Sequence, residues 1–464
     1  MKRLLLPCIS AILLCLLLCA CSPSQADPII PTLPENPAAL YSTICTPIRL
    51  ADDLVLKYTA TQVRTIGQQS FTETIAGTAS YSAHLDTSMT AIIEETLKYG
   101  SYESTYEELY CNGKAYASSA GNHFSCSLTP KEFYSRQLPA IMLSSKLYRS
   151  ISYIEGADTT QILFSDPTGL ESWLNAGSDA RLVSASGTAS VDKDGVLSAS
   201  TYEARYTVGE TQYLYRVDLQ VAIPKSLDLS AHHSEHLSNA APISDLSILK
   251  MMMRTVGDIY STNTLSCQAI ESIYSEAIPL SWTQTGKFLL RQETDRLTAE
   301  LEYHTTSSDY RGNFSTTTQL DRYENGVFYT SVNGKEPEIL ENVTAQEVEQ
   351  SCEDAMLSAL FATKYLSGAT LQRDGNSYRI TMTGNETYVT DLMQGIADFL
   401  KIDLDTHTQE GGNTNDASGY LTIDAQTGLP TAMGLSLERS HVINSVNYAL
   451  KYHLDHTLSL IDAE

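Results

Sequence analysis

Apolar and polar residues alternate with a period of two along much of this chain. Tyr213, Tyr215, Val217, Leu219, Val221 and Ile223 share one face, and Arg216, Asp218 and Gln220 take the other. Near the C-terminus Leu450, Tyr452, Leu454, Leu458 and Leu460 oppose Lys451, His453, Asp455 and Ser459. Such alternation predicts antiparallel strands with one buried face. Helical spacing is confined to shorter stretches. Val348, Cys352, Met356 and Leu360 recur at four-residue steps, widened by Leu357 and Phe361, and Leu249, Met252, Met253, Val256 and Tyr260 make a second stripe.

The pattern repeats in order. Tyr110-Cys-Asn-Gly-Lys-Ala-Tyr116 and Tyr323-Glu-Asn-Gly-Val-Phe-Tyr329 both read as strand, Asn-Gly turn, strand. Each is followed by a Thr-x-x-Glu capping box that opens a helix, Thr129 to Glu132 and Thr344 to Glu347. Val191-Asp-Lys-Asp-Gly195 then matches Ile423-Asp-Ala-Gln-Thr-Gly428, with one extra residue in the second loop. Three ordered correspondences predict two tandem units, 38–225 and 243–464, joined by a linker at 226–242.

The N-terminus changes the picture. Lys2 and Arg3 precede the apolar run Leu4 to Leu18, and Leu18-Cys19-Ala20-Cys21 closes it. The run is shorter than the about 20 residues of a span and ends in small residues, so 1–21 reads as a lipoprotein signal with Cys21 as the lipidated residue. Pro23, Pro28, Pro31, Pro34 and Pro37 make 22–37 an extended tether, at about 3.1 Å per residue long enough to hold a folded body roughly 40–50 Å from a membrane. The expected location is extracytoplasmic, lipid-anchored to the bacterial cell membrane.

The formal charge of −25 becomes −27 once Lys2 and Arg3 leave with the leader, which argues against nucleic acid as a partner. Of nine cysteines, Cys45, Cys111, Cys126, Cys267 and Cys352 remain in the body. The turn-rich segment between Cys111 and Cys126 makes a cross-strand disulfide one reading of that pair, with free buried thiols as the other.

The phrase Leu421-Thr-Ile-Asp424-Ala-Gln-Thr-Gly428-Leu429-Pro430, together with Tyr323 to Tyr329, resembles strand-turn-strand elements of the bacterial lipoprotein-carrier superfamily, the LolA-like, LolB-like and LppX-like folds. That resemblance implies an α+β fold: two domains, each a curved, half-barrel-like antiparallel sheet with helices on its concave face and room for a hydrophobic ligand or lipid. Ile141, Met142, Met356 and Leu360 are then the candidate cavity-lining residues.

Chemistry-bearing motifs are sparse. His232-His-Ser-Glu235-His236 fits a zinc-binding pattern but sits in the polar linker, and no metal site is assigned. His453 and Asp455 share a strand face without a nucleophile tied to them, and the acidic, Gly-rich run from Asp403 to Asp416 lacks calcium-loop spacing. No cofactor and no catalytic residue is assigned. The expected function is non-enzymatic binding of a hydrophobic molecule or lipid. Its rivals are a cell-envelope interaction or sensor lipoprotein without a cavity, partnered by an envelope protein, and a carboxylate- or metal-dependent hydrolase. Tyr outnumbers Phe 27 to 9, which suits half-exposed strands and wet binding surfaces.

Overall fold

The computed structural model describes residues 33–119, 121–155, 159–165, 180–229, 239–262, 264–275, 280–293, 296–308, 311–324, 326–385, 414–443 and 446–460. Helix α1 (Pro37–Arg49) leads into a meander of β1 (Asp53–Ile66), β2 (Gln69–Ser82), β3 (Thr90–Tyr99), β4 (Tyr102–Cys111), β5 (Lys114–Ser119) and β6 (Asn122–Ser127). After the short α2 (Pro130–Ser135) come β7 (Ser150–Glu155), β8 (Thr160–Ser165), β9 (Ala180–Val191), β10 (Leu197–Val208) and β11 (Thr211–Ala222). A two-residue strand, β12 (Ala241–Pro242), precedes α3 (Ser247–Tyr260).

The second half repeats this sequence of elements. Strands β13 (Thr264–Ser275), β14 (Leu280–Glu293), β15 (Arg296–Ser308), β16 (Phe314–Glu324), β17 (Val327–Val332) and β18 (Glu338–Glu341) run up to α4 (Ala345–Leu357). Then follow β19 (Leu366–Asp374), β20 (Ser377–Gly384), β21 (Thr414–Asp424), β22 (Pro430–Ile443) and β23 (Val446–Leu460). The first sheet has the order β6-β5-β4-β3-β2-β1-β11-β10-β9-β8-β7 with β12 added beside β6, and the second is β18-β17-β16-β15-β14-β13-β23-β22-β21-β20-β19. Adding twelve to each strand number of the first order gives the second.

This architecture corrects the expected α+β class. The chain is predominantly β, two large antiparallel sheets with few and short helices, instead of sheets whose concave faces are lined by helices. The strands are up to 15 residues long, whereas the α-helices among the described residues span 6 to 14. Leu138–Leu143, which carries the candidate lining residues Ile141 and Met142, is a short 3-10 helix and not an α-helix.

Local signals act where the sequence places them. Asn112 and Gly113 both adopt positive φ, 51° and 76°, in a two-residue turn that pairs Cys111 with Lys114. Thr129 and Thr344 each accept a bond from the backbone of the glutamate three residues on, and that glutamate reaches back to the cap. One contiguous apolar core runs from Leu40 and Ile44 of α1 through Tyr81 and Phe124 to Met356, Leu435 and Leu458. Among the described residues no helix is long and apolar enough to cross a membrane.

Candidate functional site at the junction of the two sheets

Helix α3 opens the second half yet packs on β3 and β4 of the first. Just ahead of it Asp245 accepts from the Ser247 N–H at 3.0 Å, and Ile248, Leu249, Met252 and Met253 bury its apolar stripe. The close fit is set at Gly257, where an added Cβ would stand 2.1 Å from the Tyr99 Cβ. At four-residue steps the helix carries Lys250, Arg254 and Asp258 on one face. Asp258 on this face is fully buried, and Lys250 and Arg254 are partly so.

Lys250 Nζ lies 2.5 Å from Glu95 and 3.9 Å from Glu108, and Arg254 lies 2.6 Å from Glu73. Asp258 pairs with Arg64 of β1, and both side chains are only 4% exposed. Glu95 and Glu108 also accept from neutral donors, whereas Asp258 Oδ2 has no hydrogen-bond partner among the described residues. The Tyr58 hydroxyl donates to Glu95 at 2.6 Å, the Tyr106 hydroxyl to Glu108 at 2.8 Å, and the Gln137 amide to Glu108 at 3.0 Å. Four acids thus face three cations in a low-dielectric interior.

The ionisation of the cluster follows from this arithmetic. Burial raises the Glu108 carboxyl; Lys250 pulls it down and Glu95 pushes it further up. Burial likewise lifts Asp258 to about 6, against the opposing pull of Arg64 and Arg254. For Lys250, desolvation works downward, but Glu95 and Glu108 outweigh it and keep the ammonium above its ordinary value. Lys250 and, held up likewise by Glu73, Arg254 therefore remain charged at neutral pH.

Beside the cluster lies a cavity of about 730 Å³ walled by both halves. Its lining includes the apolar Ile75, Leu128, Phe133, Leu371 and Ile423 and the charged Glu73, Glu108, Lys250 and Arg254. Tyr206 and Tyr213 stack at 4.7 Å between ring centres and supply an aromatic wall. The Tyr213 hydroxyl donates to the Gln426 carbonyl of the β21–β22 turn, and Arg64 donates to the Thr427 carbonyl of the same turn at 2.6 Å. The Arg254 Nε has no hydrogen-bond partner among the described residues.

A second, more open groove of about 930 Å³ crosses the polar face of the first sheet. Thr59, Thr78, Thr201 and Asp218 line it, and Glu94 stands directly opposite Glu107 across β3 and β4. Like charges in cross-strand register destabilise the pair.

The residues expected to line a ligand space do something else. Met142 and Met356 are fully buried and Leu360 packs partly buried against the same core, so they fill volume, and neither cavity counts them in its wall. The side chain of Ile141 lies outside the described residues. The Met356 carbonyl accepts from His456 Nδ1 at 2.9 Å. Cys111 and Cys126 are free thiols: β5 stands between their strands, and Cys126 pairs with Ala115 while Cys111 pairs with Lys114, which sends the two side chains to opposite faces. Free buried thiols, the alternative reading of that pair, are what the structure holds.

His453 and Asp455 do share a strand face, 2.6 Å apart and half exposed. His232, Glu235, His236, Cys21 and 386–413 lie outside the described residues, and among the described residues no group of three His, Cys, Asp or Glu is placed to hold a metal ion. The buried charges were missed, although a signal exists. Glu73 alternates in register with Phe71 and Ile75, Glu95 with Ile93 and Leu97, and Glu108 with Tyr106 and Tyr110, so each acid occupies an inward position of its strand.

No family model and no curated protein matches the chain. Among solved structures, the chain is similar to LprF from Mycobacterium bovis at 13% identity and a TM-score of 0.24, over 41% of this chain and 95% of that one. A putative AttH from Nitrosomonas europaea aligns at 9% identity and a TM-score of 0.12, over 87% and 92% of the two chains. Kievitone hydratase from Nectria haematococca aligns at 7% identity and 0.16, over 94% and 95%.

Proposed function

We propose that this chain is a lipid-anchored extracytoplasmic protein that binds a molecule with an apolar body and a polar head, without transforming it, in the cavity between its two sheets. The observation that carries the reading is the mixed lining of the cavity. Apolar and aromatic side chains line it together with Lys250 and with Arg254, whose Nε has no hydrogen-bond partner among the described residues. A volume of about 730 Å³ lies within the roughly 300–1,000 Å³ of small-molecule sites. Burial of about 0.8 kcal/mol per methylene supplies affinity, and the paired charges orient the head. The anchor at Cys21 and the tether before α1 keep the body near a membrane surface, the richest source of such molecules. The reading treats the two halves as copies of one unit joined at 226–242, in keeping with their shared strand order.

The test is solvent extraction and mass spectrometry of the purified chain, together with titration by the apolar dye 1-anilinonaphthalene-8-sulfonate. The reading expects a copurified amphiphile near one per chain, or saturable dye binding that Ile75→Trp abolishes by filling the cavity. A chain that carries no amphiphile, and whose dye binding is indifferent to Ile75→Trp, overturns it.

A further inference from the structure

We infer that copies of this chain associate head to tail, the open edge at β18 of one copy meeting the β7 edge of the next. The junction inside the molecule is the pattern. There the segment 241–244 lies as an extra strand between two sheet edges. On one side Ala241 and Pro242 pair in parallel with Phe124 and Ser125 of β6, and the Ile243 N–H donates to the Ser125 carbonyl at 3.0 Å. On the other, Ile243 bridges to Ala369 of β19, whose carbonyl accepts from the Ser244 N–H at 3.0 Å, and the Leu371 N–H donates to the Ser244 hydroxyl at 2.9 Å. One segment therefore joins β6 of the first sheet to β19 of the second.

The two outer edges are the counterparts of these two. By the shared strand order β18 corresponds to β6, and β7 corresponds to β19. Among the described residues nothing pairs beyond β18. Leu340, opposite Phe328, occupies the place that Cys126 takes opposite Ala115; Cys126 is 9% exposed under the Ser244 carbonyl, whereas Leu340 is 55% exposed. Ile339, on the opposite face of the same strand, is also 55% exposed. At β7, the segment ahead of α1 approaches the edge through one side-chain contact: the Tyr153 hydroxyl donates to the Pro34 carbonyl, and Asn36 caps α1.

The missing neighbour of that segment is a strand like β6, which β18 of a second copy supplies. Glu338 and Glu341 at the ends of β18 repel a second β18, while exposed Arg149 stands beside the first residue of β7. Both facts favour a heterologous contact, and such contacts propagate instead of closing at a pair.

Sedimentation of the full chain in detergent tests this. The expected result is concentration-dependent oligomers beyond the dimer, weakened about tenfold or more by Leu340→Lys, by Ile339→Lys, or by Ile154→Lys on β7. All three positions are exposed, and circular dichroism verifies their fold. A mixture of Leu340→Lys and Ile154→Lys chains is expected to form one-to-one dimers, since each retains the edge the other lacks. A wild-type chain that stays monomeric, an association untouched by the β18 variants, or a wild-type oligomer whose two variants fail to complement each other overturns the proposal.

Discussion

Arg64 on the first sheet and Asp258 on the first helix of the second half, 194 positions apart, form a buried ion pair that ties the two halves together. Arg64 extends the tie by donating to the Thr427 carbonyl. Removal of one partner leaves an uncompensated charge in the interior. Arg64→Ala is expected to cost about 3–5 kcal/mol, and the paired replacement Arg64→Met with Asp258→Leu much less. Denaturant unfolding followed by tyrosine fluorescence and circular dichroism checks both the cost and whether a single transition separates into two.

Gly257→Ala is expected to destabilise, although alanine is favoured over glycine by about 1 kcal/mol in a helix interior. The added methyl has no room against Tyr99, whose Cβ and carbonyl belong to a central strand. Overpacking of this kind costs roughly 1–3 kcal/mol. A thermal melt showing a lower Tm confirms it, and an unchanged or higher Tm contradicts the close approach of α3 to β3.

Glu353 on α4 is buried, and its carboxyl is pushed up to about 8 by desolvation first and then by Glu349 and Asp354. The folded form binds this proton more tightly than the unfolded chain does. Its contribution to stability is thus fully present below about pH 4.5 and is lost as the pH rises through 8. Glu353→Gln should flatten that alkaline loss and stabilise the chain by about 1–2 kcal/mol at pH 8, with little effect at pH 4.5. Urea midpoints at the two pH values measure it.

His84 titrates in the opposite sense. Burial between Tyr81 and Tyr134 lowers its imidazole to about 4, against a smaller upward effect of the Ala51 backbone. The neutral ring stabilises the fold above about pH 6.5, and that contribution disappears as the pH falls toward 4. His84→Phe should remove about 2–3 kcal/mol of acid lability across this window. Stability profiles of the two chains that run parallel from pH 7 to 4 would rule this out.

Much of the strand arrangement could be read from the residues because period-two alternation and Asn-Gly turns are local. The turn at Asn112-Gly113 and the two capping boxes form where their residues specify. The share of helix was overestimated because the capping boxes mark where helices start and not how far they run, and α2 after Thr129 spans only 6 residues. The candidate site escaped notice for a different reason. Glu95 and Glu108 sit in inward register, but an inward acid is explained only by its partner, and Lys250 lies more than 140 positions away from both.

By itself, the sequence determined the elements: which segments alternate, where they turn, where helices begin, and the basic and apolar start that ends at Cys21. These depend on dihedral preferences and on hydrophobic periods within a few neighbouring residues. Only the tertiary structure decided that α3 leaves its own half to lay Lys250, Arg254 and Asp258 against the first sheet, and that 241–244 fills the gap between two sheet edges. Both outcomes depend on long-range pairing of charges and backbone groups that are costly to bury alone, and no local pattern encodes which distant partner will satisfy them.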